Sequence, residues 1–500
     1  MHVKKRDEKE QLTKKQIILV AIISVFIFLL VYTPHLANPY PIHIDEWRHI
    51  TEAIKIRQGN MPSGMAGAES GLHVFLAFIS FFIKDLVLFY KFFPAIWAVV
   101  SAMTLFFITN KLTKNFTVSV FSVLFFASIK SNVNILGIWF FTPLTFSIPF
   151  IFLYIYLFTE GIQKQNKKMI LTSLLIMIIL VPTHSISFLF SVPFLIIYAL
   201  THYRYLLKEY KFFSIFLIIP LIGVLFFAYL MDKTYKQAFL TLTNLLSFKY
   251  GFGVVELNNS FFEIYSAIGY ILAILGFIYI VSNKQRFKRY LAYVLWPVSV
   301  LIMIFFFRLT GFSPLSPYQR NFYYFALSLP FLSALGVFII LKYLRIKTSK
   351  IKDTETKERV YTALKIILII LVIFLAFMSY FSIPKNIKLY KTIDENNYET
   401  LIFLKTLEIP EETKIMAPAA FSTALFPITN NEAVGTIFFY GNKTAVKEFF
   451  EPKNITNDNC KTKNNLIKEH SVSYIVSEKE INCSWQMIFN ITNNTVYKVY

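Results

Sequence analysis

Apolar residues run in blocks along the first 383 positions, separated by short polar links. Repeated blocks of roughly 18 to 23 residues fit helices that cross a bilayer. The first, IILVAIISVFIFLLVYT, follows the basic stretch MHVKKRDEKEQLTKK. It is longer than a secretory h-region and no small-x-small cleavage site follows it, so it is read as a retained anchor. Onward, the pattern predicts spans over about 16–33, 88–109, 116–129, 138–159, 169–182, 185–201, 212–230, 262–282, 289–307, 321–341 and 362–383. The stretch GLHVFLAFISFFI (71–83) is short and close to the next span. It is expected to lie at the interface as a juxtamembrane helix.

The basic residues set the orientation. With the tail 1–15 in the cytoplasm, the inner segments carry about 25 Lys and Arg and the short outer loops about 9. Were 71–83 to cross the membrane, every later loop would change sides and this bias would reverse. The result is a polytopic α-helical membrane domain over 16–383. It has about 11 spans, a first outer loop at 34–87 and a longer outer loop at 231–261. The last stretch, 384–500, falls outside the cell membrane.

In that last stretch the periodicity changes. YETLIFLKTLEI, AAFSTALFPI and TAVKEFF read as helices; TKIMAP, EAVGTIFF, SVSYIVSE and NNTVYKVY read as extended. Such mixing predicts a small extracytoplasmic α/β domain. The chain's two cysteines, Cys460 and Cys483, both lie here, placed to pair in an oxidising exterior or else to stay free and buried. Sequons at Asn442, Asn454, Asn482, Asn490 and Asn493 agree with an outside location.

Composition narrows the class. Of 500 residues, 56% are hydrophobic, 55 are Phe and 16% are charged, outside the range of soluble domains. The net charge of +21 is spread over short loops and not gathered on one soluble face, which argues against nucleic acid as a partner.

The densest ionisable cluster is YPIHIDEWRHI (40–50), just after the first span. Asp45, Glu46, His49, Glu69, His73, His184 and Arg320 all fall at the outer boundary of the predicted topology. Charges near spans are costly unless solvated, paired or functional. Each has a plain alternative. Asp45 and Glu46 suit a solvated loop or a helix N-terminus. His73 would tip an interfacial helix, His184 would cap a helix end, Glu69 would be a loop acid, and Arg320 would snorkel to headgroups. H-E-x-x-H is absent, because Asp45 stands where its first His would be. Asp45 and His49, spaced i, i+4, could share a divalent cation if helical.

IDEWRHITEAIKIRQGNMP resembles the first-loop acidic motif and following amphipathic helix of the GT-C glycosyltransferases, which include protein O-mannosyltransferases and lipid A aminoarabinose transferases. ESGLHVFLAFIS with LFYKFFPAIWAVVSAMTLFFITNKL is similar to their juxtamembrane helix and second span. The resemblance covers roughly 16–200 and weakens afterwards. It implies a polyprenyl-phosphate sugar donor, an inverting transfer at the outer face, and a glycan, lipid or protein acceptor. Asp45 matches the first-loop acid proposed as base in that group, and Glu46 its neighbour, which orients acceptor or base. Arg320 is a counterpart of the donor-phosphate cation by position only. The C-terminal stretch is similar to outer domains on archaeal membrane glycosyltransferases. The WWDYG signature of oligosaccharyltransferases is absent, which favours transfer of one sugar.

The chemistry agrees on its own terms. A carboxylate takes the proton of an attacking hydroxyl, and Arg, or a histidine such as His73 or His184, stabilises charge on a departing phosphate. No cofactor is implied with certainty, and a divalent cation stays open. Two rival classes remain. A transporter would want broken helices near the midplane, for which Pro143 and Pro182 qualify, and an internal repeat, which is not seen. A non-catalytic membrane scaffold would have no need of Asp45.

Overall fold

The computed structural model describes residues 12–36, 38–60, 69–83, 85–131, 136–215, 260–349, 353–381, 392–437, 441–451, 459–492 and 494–499, with isolated positions between 216 and 259. Most of the expected span 212–230, most of the loop 231–261, the tail 1–11, Asn454 and Asn493 lie outside the described residues.

Helix α1 (Lys14–Leu36) is the first apolar run. Two helices follow before the next span, α2 (Ile44–Arg57) and α3 (Ser70–Ile79). Among the described residues six helices are long and apolar enough to cross a membrane: Lys14–Leu36, Leu86–Thr113, Pro143–Gln163, Lys167–His184, Lys284–Thr310 and Tyr318–Thr348. The apolar helices Phe116–Ala127 and Ala267–Val281 are shorter, and Thr354–Phe381 completes the helical part.

Two expected helices differ in outline for the same reason. The one drawn from 138 starts at Pro143, because Thr142 forms its cap and proline occupies the first turn, where no intrahelical donor is needed. The one drawn over 185–201 is two pieces, Ile186–Leu189 and Val192–Leu200; Pro193 opens the second and cannot continue the first.

Close approach holds the bundle. Gly276 and Gly336 face each other's helices: a Cβ on Gly276 would collide with the Leu332 carbonyl, and one on Gly336 with that of Leu272. The helices Ala267–Val281 and Tyr318–Thr348 therefore cross backbone against backbone, the small-residue geometry favoured in lipid. Gly71 does the same for α3, where a Cβ would strike Thr183 at the end of Lys167–His184.

The C-terminal part is a four-stranded sheet with helices. In spatial order the strands are Lys414–Met416, Val472–Ser477, Asn494–Lys498 and Gln486–Ile491; the first pair is parallel and the others antiparallel. Helices Glu395–Thr406, Ala419–Thr429, Lys443–Phe450 and Asn459–Glu469 accompany it. EAVGTIFF, expected to be extended, makes only isolated bridges, through Ala433 and Gly435, among its described residues. The strand Gln486–Ile491 was not expected; it lies at the edge of the sheet and none of its residues is buried, so it carries no buried apolar row to recognise. Cys460 and Cys483 form a disulfide.

This domain does not hang free. One apolar core contains Trp47, Ile50 and Ile54 of α2, Leu72 and Leu76 of α3, and Leu401, Phe421, Leu425 and Val496 of the C-terminal part. Tyr40 stacks on Tyr398 with ring centroids 4.3 Å apart. The first loop and the last domain are thus packed as one body over the helix ends.

Candidate active site

The site grows from the start of α2. His43 caps the helix: its Nδ1 accepts the Asp45 backbone N–H at 3.1 Å. Three residues on, the Glu46 carboxylate reaches back, accepting the Ile42 and His43 backbone N–H groups on Oε2, each at 2.9 Å. Its other oxygen accepts the Phe141 N–H at 2.8 Å, from the segment before Pro143–Gln163. This is a capping box extended across the chain. It points Glu46 inward, fully buried, with both oxygens occupied by backbone. Burial pushes its carboxyl up to about 7, against the three N–H groups, which favour the anion.

Asp45 points the other way. Its side chain is 23% exposed. Its one close polar approach is Oδ2 to His43 Nδ1 at 3.5 Å. That is not an ion pair: Nδ1 already accepts the Asp45 N–H, and burial holds His43 below its ordinary value, so the ring is neutral. Among the described residues no hydrogen-bond donor is held by the Asp45 carboxylate.

One helical turn further, Arg48 pairs with Glu69, the residue preceding α3. His49, fully buried, meets the equally buried His73 of α3, Nδ1 to Nε2, at 2.9 Å. Burial, with Arg48 adding to it, holds His49 well below its ordinary value. Glu69 is raised by burial and by nearby Asp45, while Arg48 pulls it down. His49, Glu69 and His73 each offer a ligand atom, all within 4.8 Å of one another, so these three are the residues that could hold a metal ion. Asp45 is not in that group, although it shares a helix with His49 at i, i+4.

Two more sequence candidates come in from the membrane helices. His184, at the end of Lys167–His184, bonds Ser187 Oγ at 2.6 Å, and Ser187 reaches the Tyr324 hydroxyl at 3.1 Å. Arg320, one turn before Tyr324, lies within electrostatic reach of Asp45, Glu69 and His184. All seven candidate residues therefore gather at one end of the bundle. Glu46 differs from the rest: its carboxylate is enclosed and turned to the backbone.

Sequence reasoning passed over Arg48, His43, Ser187 and Tyr324. Arg48 and His43 were visible inside the same short cluster, at helical spacing from Asp45 and beside the cap. Ser187 and Tyr324 are separated by 137 positions and left no local signal. A cavity of about 250 Å³ opens between α2 and the C-terminal domain. Arg48, Lys55, Lys414, Thr423, Phe426 and Glu432 are among its lining residues. Lys55 lies over the Phe426 ring, 5.2 Å from its centroid.

Several solved structures of one archaeal enzyme are similar to this arrangement. The archaeal oligosaccharyltransferase AglB of Archaeoglobus fulgidus, in complex with an inhibitory peptide and a dolichol-phosphate, superposes with a TM-score of 0.55. The chain has the fold of that enzyme. The match covers 93% of this chain and 70% of AglB at 12% identity. The apo form of the same oligosaccharyltransferase gives 0.55 at 11% identity, covering 93% and 69%. The form tethered through a disulfide to an acceptor peptide containing the NVT sequon gives 0.53 at 12%, covering 92% and 69%. No family model matches the sequence, and no curated protein does either. The likeness is therefore one of fold.

Proposed function

We propose that this chain is a membrane glycosyltransferase. It moves a single sugar from a polyprenyl-phosphate donor to an acceptor hydroxyl, with inversion, on the extracytoplasmic side. The observation that carries this reading is Asp45: a partly exposed carboxylate with no donor holding it among the described residues, at the end of the bundle where Arg48 and Arg320 also lie.

Asp45 acts as general base. The acceptor oxygen loses its proton to the Asp45 carboxylate and bonds to the anomeric carbon. The bond from that carbon to the phosphate oxygen breaks, and the electron pair leaves with the polyprenyl phosphate. Arg320 stabilises the charge gained by the leaving group; His184, linked to Ser187 and Tyr324, stands beside it as a further polar contact. Glu46 is a positioning residue that fixes the start of α2 and so the direction of Asp45. A donor of this kind keeps its tail in the bilayer and presents its phosphate at headgroup depth, where these side chains lie. AglB has been captured with a dolichol-phosphate and with peptides, which supports a lipid-phosphate donor and makes a peptide one acceptor to try. The missing WWDYG favours one sugar over an assembled glycan.

The cavity between α2 and the C-terminal domain is the acceptor's place in this scheme. Its lysines and hydroxyls and the Phe426 ring suit a polar, hydroxylated acceptor with anionic character. The positive-inside bias and the disulfide both support the outward orientation. The test is transfer from labelled polyprenyl-phosphate sugars in membranes containing the protein, wild type against Asp45→Asn at equal abundance. Transfer by wild type and not by the variant supports the assignment; equal transfer by both removes Asp45 as base. Transfer by neither, over a full donor panel, turns the reading toward a transporter or scaffold.

A further inference from the structure

Three side chains beside Asp45 have no task in the transfer scheme. His49 sits in the middle of α2, His73 in the first turns of α3, and Glu69 just before α3. Glu69 and His73 are spaced i, i+4, which sets them on one side of the chain's entry into α3. Their ligand atoms and that of His49 lie within 4.8 Å of one another. Both histidines are fully buried, α2 and α3 share one apolar core, and α3 is held against Lys167–His184 by the close approach of Gly71 to Thr183.

We infer that His49, His73 and Glu69 form a binding site for a transition-metal dication, with Zn²⁺ as the representative ion. Two nitrogens each about 2.0–2.1 Å from one tetrahedral zinc stand about 3.3 Å apart. The two facing nitrogens are 2.9 Å apart, so a shift of a few tenths of an ångström spaces them for the ion, and the Glu69 oxygen, within 4.8 Å of both, closes in to complete the set. The donor set of two imidazoles and a carboxylate suits Zn²⁺, Co²⁺ or Ni²⁺; Ca²⁺ and Mg²⁺ would want oxygen ligands throughout. Arg48 bonded to Glu69 is the kind of partner that orients a ligating carboxylate from behind. Three protein ligands leave a fourth position open. The far nitrogen of His49, Nε2, is buried with no hydrogen-bond partner among the described residues, which is a weak design for a histidine kept only for a hydrogen bond.

This site rests on its three side chains and not on the transfer reading, so its test uses no substrate. The full chain is purified in detergent without a polyhistidine tag, stripped with chelator and titrated with Zn²⁺ by calorimetry. A parallel titration with Co²⁺ follows the visible absorption. One equivalent of Zn²⁺ and a tetrahedral Co²⁺ spectrum are expected. His73→Gln and Glu69→Gln should each weaken Zn²⁺ binding by about tenfold or more, while Asp45→Asn, outside the ligand set, binds as wild type does. Glu69 is the less buried ligand, so Glu69→Gln holds the test should the histidine variant not fold; thermal midpoints report that separately. Absence of a Zn²⁺ site in wild type overturns the inference and leaves a hydrogen-bonded histidine pair. Binding undiminished in both ligand variants overturns it as well.

Discussion

Replacing Glu46 with glutamine tests the buried anchor of α2, and its effect should change with pH. In the wild type the carboxyl is moved from its ordinary 4.5 to about 7, chiefly by burial. At about 1.4 kcal/mol per pH unit, that displacement is worth about 3 kcal/mol. The folded value lies above the unfolded one, so the native state holds the extra proton between them. Stability from this group is full below pH 4.5 and is lost as pH rises toward 7. The Gln variant cannot ionise and lacks that slope. Its carboxamide has one acceptor oxygen and a donor NH₂. If the oxygen stays with Ile42 and His43, the NH₂ faces the Phe141 N–H, donor against donor. That mismatch costs about 1–3 kcal/mol at every pH. The variant should therefore be less stable than wild type near pH 5. By pH 8 the gap should close or invert. The assay is the thermal midpoint of the full chain in detergent from pH 4.5 to 8, read from the intrinsic fluorescence of its five tryptophans, one of which, Trp47, adjoins the mutated position. Midpoints that stay parallel over the whole range would refute the account of Glu46 as a buried, titrating anchor.

Asp45→Asn should lower transfer by about 10²–10⁴-fold, the usual worth of a general base, at unchanged abundance and thermal midpoint. Lys414→Ala should raise the acceptor KM with little change in kcat, because it lines the acceptor cavity, whose lining does not include Asp45; a fall in kcat alone would contradict that placement. Gly336→Val should push the helices Ala267–Val281 and Tyr318–Thr348 apart at a cost of about 1–3 kcal/mol or more, seen as a lower thermal midpoint in detergent. Reduction, or Cys460→Ser, opens a loop whose ends are 23 positions apart. It should destabilise the C-terminal domain by about 3 kcal/mol on the chain-entropy account, measured as faster limited proteolysis of that domain.

The sequence by itself determined what depends on neighbours along the chain. Apolar runs located the helices, since every stretch in lipid must satisfy its own backbone. Proline and cap residues set several of their ends: Thr142 with Pro143, and His43 with Glu46. The same local rules marked the sheet strands that carry a buried apolar row, Val472–Ser477 and Asn494–Lys498, and missed the edge strand Gln486–Ile491, whose residues are mostly not buried. Tertiary structure decided the chemistry. Asp45 and Glu46 are adjacent and alike in sequence, yet one faces outward and the other is consumed by three backbone amides, one of them 95 positions away. His49 finds His73 across 24 residues, and Ser187 finds Tyr324 across 137. Periodicity fixes which side of a helix a residue occupies, but which groups that side meets depends on how helices and the outer domain pack. For this chain that packing turns on the close approach of Gly71 to Thr183 and on one apolar core shared by α2, α3 and the C-terminal sheet.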